Sequence, residues 1–249
     1  TTQNRTSLSA GIYNVTATDN NGCTATASAT VSQPTALSVA NTSTNVSCNG
    51  GNNGSIDITI SGGTSPYTYN WGGSVTTQNR TNIPAGTYNV TVTDANSCTA
   101  TTTVNITQPT VVAASDVETN VTCNGLTNGS GLITATGGTA PYNISWTGTA
   151  SGNPAGTEIA VSGGTFTMTS LGVGTYNVTV TDANSCFGIT TVTITEPTII
   201  SLVPSSTNAN CGASDGTASV VASGGSGGYT YSWSPAPGGG QGTAIATGL

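Results

Sequence analysis

GTYNVTVTDANSC occupies residues 86–98 and returns letter for letter at 174–186, and a looser copy, GIYNVTATDNNGC, runs over 11–23. Alternation makes the stretch a strand, with Tyr88, Val90 and Val92 on one face and Thr87, Asn89, Thr91 and Thr93 on the other. The first face is expected in a core and the second in water. Each tyrosine follows an apolar residue by five positions and a glycine by two: Leu8, Gly11 and Tyr13; Ile83, Gly86 and Tyr88; Leu171, Gly174 and Tyr176. After the strand, Asp-x-Asn-x-Cys predicts a turn, because Asp and Asn side chains bond nearby backbone and tolerate left-handed conformations. A second strand, Thr99 to Thr107, then leaves.

The stretch belongs to a larger repeat. TTQNRT at residues 1–6 recurs at 76–81, and Cys23, Pro34 and Cys48 recur as Cys98, Pro109 and Cys123, a shift of 75. The next shift is 88, from Pro109 to Pro197 and from Cys123 to Cys211. Trp71 to Trp146 is still 75, so the 13 extra residues lie between Trp146 and Leu171, around TASGNPAGTEIAVSGG, as a loop or an added hairpin. The expected organisation is the C-terminal part of a repeat at 1–33, complete repeats at 34–108 and 109–196, and the N-terminal part of another at 197–249. Both chain ends are expected to be cuts in a longer array.

Within a repeat, PTALSVANTSTNVSC leads to Cys48 and the turn NGGNNG, and Ser55 to Ser61 alternates as a strand with Ile56, Ile58 and Ile60 on one face. Gly62, Gly63 and Pro66 turn the chain into Tyr67, Tyr69 and Trp71 at period two, repeated as Tyr142, Ile144, Trp146 and as Tyr229, Tyr231, Trp233. The weaker segment Val75 to Ile83 is expected to supply one or two edge strands. Seven short strands, a tryptophan on the third and a tyrosine spaced as in a tyrosine corner predict an all-β fold, a tandem array of small immunoglobulin-like β-sandwich repeats. The structural core is assigned to Tyr13, Tyr88, Tyr176, Trp71, Trp146 and Trp233.

Of 249 residues only two are basic, Arg5 and Arg80; nine are acidic and none is lysine or histidine, for a net charge of −7. Nucleic acids and anionic membranes are recognised largely through cations, so neither is an expected partner. No apolar run approaches the ~18 residues of a membrane helix, so direct membrane insertion is not expected. Without histidine or lysine, and with acids that recur as turn residues, the chain is read as no enzyme, with no catalytic residue and no cofactor. Lacking lysine, it also cannot form Lys-Asn isopeptide cross-links.

The turn acids Asp19, Asp94 and Asp182 are weak calcium candidates, since one carboxylate per turn is thin for an ion wanting 6 to 8 oxygens. The trio Tyr67, Tyr69 and Trp71 offers either a sugar-stacking platform or, more simply, core. The Asn-x-Thr sequons at Asn89 and Asn177 lie on the outward strand face and are read as structural.

The run CNGGNNGSIDITISGGTSPYTYNW at 48–71, and CNGLTNGSGLITATGGTAPYNISW at 123–146, resemble the SprB repeat, as do the following GTYNVTVTDANSC and TITEPT. The resemblance covers essentially the whole chain. It implies a filamentous adhesin of Bacteroidota, exported by the type IX secretion system, carried along the cell surface by the gliding machinery and associated with the outer membrane. Expected partners are neighbouring repeats, that gliding or secretion machinery, and external surfaces or polysaccharide met by the whole filament. The alternative is that the repeats themselves bind polysaccharide. The fourth copy departs from the pattern, with GASDG after Cys211 and SGG in place of a proline before Tyr229.

Six cysteines without histidine or a CxxC pair read as disulfides in an oxidising, extracellular location. Cys23, Cys48, Cys98, Cys123, Cys186 and Cys211 are all expected to be bonded. Within a repeat Cys48 and Cys98 fall at opposite ends of the sandwich, a strand length apart, beyond the roughly 7 Å Cα separation a disulfide tolerates. The intervals 23–48, 98–123 and 186–211 are all 25 residues, so the expected pairs are those three, with the chain doubling back at Gln108-Pro109-Thr110 so that Val111 to Thr122 returns alongside Thr99 to Thr107.

Overall fold

The computed structural model describes residues 4–149 and 158–249. Every regular element among them is a strand. No helix there is long and apolar enough to cross a membrane. The chain divides into compact units at 1–108 and 109–249.

The first unit opens with a two-stranded hairpin, β1 (Gly11–Thr18) and β2 (Thr24–Val31). The repeat after it is built from β3 (Ser38–Thr44), β4 (Gly54–Ser61), β5 (Thr68–Asn70), β6 (Arg80–Ile83), β7 (Gly86–Thr93) and β8 (Thr99–Ile106). Its two antiparallel sheets have the orders β3-β4-β6 and β5-β7-β8. Alternation in β4 sends Ile56 and Ile58 inward, and alternation in β7 sends Val90 and Val92 inward to meet them. Val46, Ile83, Val104 and Ile106 complete one core contributed by both sheets, which makes the repeat a sandwich. Each such side chain contributes about 1.5–3 kcal/mol by leaving water. This repeat has six strands, not the seven expected, with β6 alone between Trp71 and the tyrosine strand.

The second unit repeats the plan with β9 (Ala113–Thr119), β10 (Gly129–Thr136), β11 (Tyr142–Gly148), β12 (Glu158–Ile159), β13 (Thr165–Leu171), β14 (Gly174–Thr181) and β15 (Phe187–Ile194). The sheets are β13-β10-β9 and β12-β11-β14-β15. The seventh strand comes with the insertion: β12 pairs at the free edge of β11, Tyr142 opposite Ile159. The expected loop or hairpin at 149–164 falls in part outside the described residues. This unit ends with a three-stranded sheet of β16 (Ser201–Thr207), β17 (Thr217–Ser223) and β18 (Ile245–Thr247).

With strands labelled A to G in sandwich fashion, the sheets are A-B-E and C-F-G, with C′ added in the second repeat. This order is the immunoglobulin-like topology. The expected return of Val111 to Thr122 alongside Thr99 to Thr107 does not occur. Strand β8 pairs with β7, and β9 pairs with β10. Within each repeat the A and G strands lie in opposite sheets.

The Gly-Gly turn after strand B is sterically required. Gly62 has φ +70°, and a Cβ there would land on the carbonyl of Ala36; at Gly137 it would land on that of Val111.

Candidate functional site

Two ends and the edge strands joining them are the recurring polar constructions of each repeat. At the upstream end Asp94 is 6 % exposed, and its carboxylate is filled by backbone amides. Oδ1 accepts N–H bonds from Asn96 at 2.9 Å and Cys98 at 2.8 Å, and Oδ2 accepts one from Thr64 at 2.9 Å. Burial opposes the charge, but the bonds from Cys98, Thr64 and Asn96 outweigh it and hold this carboxyl below its ordinary value. Asp182 accepts the matching bonds from Asn184, Cys186 and Thr139 at 2.9, 2.8 and 2.8 Å. Asp19 accepts those of Asn21 and Cys23, both at 2.8 Å, in an exposed turn. The calcium candidates are thus turn struts whose oxygens face N–H donors, the wrong polarity for a cation. The described residues hold no group of three or more potential metal ligands.

Strand A starts at this end, where Pro34 to Leu37 share a cleft with Asp94, Cys98 and Thr99. Strand G starts here too, so A and G run in the same direction toward the downstream end. Midway, Asn41 Nδ2 donates to Thr102 Oγ1 at 3.2 Å, and in the second repeat the Thr190 hydroxyl donates to Asp116 Oδ1. Downstream, Val46 N donates to Thr107 O at 3.0 Å and Thr107 N to Asn45 Oδ1 at 2.9 Å. The second repeat matches with Val121 to Thr195 at 3.2 Å and Thr195 to Asn120 at 2.7 Å. The turn after strand A is tied to the departing chain as well: Gly50 N donates to Gln108 Oε1 at 2.8 Å, and Gly125 N to Glu196 Oε2 at 2.7 Å.

The tyrosines brace the corners. Tyr13, Tyr88 and Tyr176 donate their hydroxyls to the carbonyls of Ser9, Pro84 and Gly172, at 2.8, 2.8 and 3.1 Å. Tyr176 is fully buried, while Tyr88 and Tyr13 are half-buried. Tyr67, Tyr142 and Tyr229 form a second brace, to the carbonyls of Gly62, Gly137 and Gly224. Sequence reasoning missed that bond, although Gly-Gly followed by Tyr at a fixed interval was its signal.

Trp71, Trp146 and Trp233 are half-buried. Trp71 and Trp233 donate Nε1–H to Thr77 O at 2.8 Å and Thr243 O at 3.0 Å. Arg80 stands 5.7 Å from the Trp71 ring and 5.1 Å from the Tyr88 ring, and Phe166 lies 5.9 Å from Trp146. The repeats thus place their own side chains against the indoles a sugar would need.

The cysteines depart from expectation. Cys48 and Cys186 are disulfide-bonded, whereas Cys23, Cys98, Cys123 and Cys211 carry free, exposed thiols. None of the pairs 23–48, 98–123 and 186–211 forms. Their shared interval spans strand G of one repeat, the linker and strand A of the next.

The irregular fourth copy keeps its geometry. Asp215 replaces the Asn of the turn after strand A: where Asn53 Oδ1 accepts Ser47 N at 3.0 Å, Asp215 Oδ1 accepts Asn210 N at 2.7 Å. The two bonds from Asn210, backbone and side chain, hold the Asp215 carboxyl below its ordinary value. Tyr229 reaches Gly224 without the preceding proline.

The family model of the SprB repeat matches residues 40–76, 115–151 and 203–238. Each match starts in strand A of its copy and runs just past the tryptophan that follows the Gly-Gly turn. No curated protein matches the chain. Among solved structures, it is similar to the fibronectin(III)-like modules of Clostridium thermocellum CbhA, at 13% identity over 59% of this chain and 86% of that one, with a TM-score of 0.26. The sandwich assignment rests on the strand order and core above, not on that loose superposition.

Proposed function

Because the chain carries three copies of the SprB repeat, we propose that it is a stretch of the stalk of a cell-surface adhesin, holding a distant tip away from the cell and passing force along its length. The resemblance extends the reading to a gliding-motility adhesin exported by the type IX secretion system, which lies outside the cell in association with the outer membrane. The observation that carries the proposal is the path of the chain through a repeat. It arrives at the Asp94 end through strand A and leaves at the Gln108 end through strand G, and the two strands run parallel and are bonded to one another. Pulling on the two chain ends therefore slides A against G. All A–G bonds then bear load together, where a hairpin would release its bonds one at a time. A linear array of such units sets its reach by copy number and keeps stability local to each repeat.

Single-molecule stretching of the 249-residue chain with its disulfide reduced tests this reading. Two discrete ruptures are expected, releasing residues 34–108 and 109–196. Their extensions should differ as 75 residues do from 88, at roughly 3.5 Å per residue. Featureless extension, with no discrete ruptures, would contradict a load-bearing stalk.

A further inference from the structure

The two complete repeats share a fold but not a surface. Among the described residues, the 34–108 repeat exposes no large hydrophobic side chain, whereas Phe187 and Ile189 of the 109–196 repeat are 67% and 71% exposed. Both belong to β15, at the edge of the sheet β12-β11-β14-β15. Spaced by two, they share the outer face of that sheet, opposite to Val192 and Ile194 in the core.

Antiparallel register makes this face a grid. Across β11, β14 and β15 it reads Asn143, Thr181 and Phe187, then Ser145, Thr179 and Ile189, then Thr147, Asn177 and Thr191. None of these side chains carries a charge. Thr191 donates its hydroxyl to Asn177 Oδ1 at 3.4 Å, which ties two members of the grid together. In the 34–108 repeat the same face reads Thr68, Thr93 and Thr99, then Asn70, Thr91 and Thr101, with Asn89 and Thr103 continuing it. The hydroxyl and amide frame is common to both repeats. Only one of them sets an aromatic ring and an aliphatic chain where the other has Thr99 and Thr101.

The size and chemistry of the grid select its ligand. Strands stand about 4.8 Å apart and alternate residues about 6.8 Å apart, so the grid covers roughly 10 Å by 14 Å. That is far below the ~800 Å² per partner of a stable protein interface, and it sets a second copy of the chain aside. A sugar ring presents C–H groups on its faces and hydroxyls around its rim. An exposed aromatic ring takes the first, and side-chain hydroxyls and amides take the second. Residues 109–196 contain no Lys, Arg or His, so a carboxylated or sulfated polysaccharide finds no counter-charge there and meets a chain of net charge −7.

We propose that the outer face of β11, β14 and β15 binds a neutral polysaccharide, with Phe187 stacked on a sugar face, Ile189 beside it, and Asn143, Thr179 and Thr181 engaging the hydroxyls. The indoles of Trp71 and Trp146 take no part, because Arg80 and Phe166 already stand against them. The proposal does not rest on the stalk reading, since it concerns a face that carries no A–G bond.

Affinity electrophoresis of the 249-residue chain, in native gels containing hydroxyethylcellulose, dextran or galactomannan, tests it, with alginate as the acidic counterpart. Retardation by at least one neutral polysaccharide and none by alginate is expected. Phe187→Thr combined with Ile189→Thr installs the residues of the 34–108 repeat at exposed positions. It should weaken binding at least about tenfold, with hydrogen-exchange protection of β14 unchanged, and Phe187→Tyr, which keeps the ring, should retain binding. Retardation by none of the three neutral polysaccharides, retardation indifferent to the double substitution, or an equal response to alginate would overturn the proposal. Self-association in sedimentation velocity that the double substitution abolishes would overturn it as well, by making the face a contact between copies. Force-induced rupture of the repeats is untouched by any of these outcomes, so the two readings fail separately.

Discussion

Replacing Tyr176 by phenylalanine removes one hydroxyl and little else. The ring is 1% exposed, so its packing against the core is kept and no cavity opens. What is lost is the 3.1 Å bond to Gly172 O, the brace that fixes where β14 begins. A bond of this kind contributes about 0.5–1.5 kcal/mol net, and the carbonyl left behind loses its partner where water has poor access. A loss near 1 kcal/mol corresponds to about a fivefold rise in the population of the opened repeat. Tyr142→Phe removes the brace to Gly137 and should cost a similar amount. The two hydroxyls share no partner, so the double variant should be additive within about 0.5 kcal/mol. Hydrogen exchange read by mass spectrometry, repeat by repeat, measures this directly. Amides of β14 and β10 should exchange about fivefold faster in Y176F, while those of β7 and β4 stay as they were. Unchanged β14 protection would refute the brace, and equal loss in both repeats would refute local stability.

The depressed Asp94 carboxyl implies a stability present above the ordinary carboxylate pKa of about 3.9 and lost as pH falls through its lower folded value. Urea denaturation of the 34–108 repeat should therefore show a falling midpoint below about pH 4, and D94N should be less stable at pH 7 with a flatter acid limb. Alkylation of the unreduced chain should label Cys23, Cys98, Cys123 and Cys211, with Cys48 and Cys186 labelled only after reduction.

Most of the sandwich was legible because its signals are local. Period-two alternation marked β4, β7 and their copies, and the Leu/Ile-x-x-Gly-x-Tyr spacing marked the corner whose hydrogen bond the structure contains. Strand count was less legible. Arg80 to Ile83 is polar and short, and only its pairing with β4 makes it a strand. The A–G bonds were invisible in one sequence. Asn41 and Thr102 are unremarkable letters 61 positions apart, and Asn45 meets Thr107 only because two edge strands end together. Asp94 was legible as a turn residue, but its partner Thr64 lies 30 positions away on another turn, so the depth of its hydrogen bonding was not.

The cysteine error has a physical origin that bears on how the array is held. A constant interval of 25 residues suggested a fixed cross-link, but constancy also follows when both intervening strands have lengths set by the height of the sandwich. Between Cys186 and Cys211 lie β15, with eight residues paired to β14, and β16, with seven paired to β17. Each strand spans roughly 25 Å at about 3.3 Å per residue. Fixed strand lengths and a fixed linker return the same number whether or not the cysteines bond. The pattern instead marks position: one cysteine follows the tyrosine strand at the upstream end of a repeat, and the other follows strand A at the downstream end. Disulfides built from such cysteines do not staple a sandwich internally. Cohesion of each repeat is left to its apolar core, its two tyrosine braces and the A–G bonds, and its cysteines stand at its two ends.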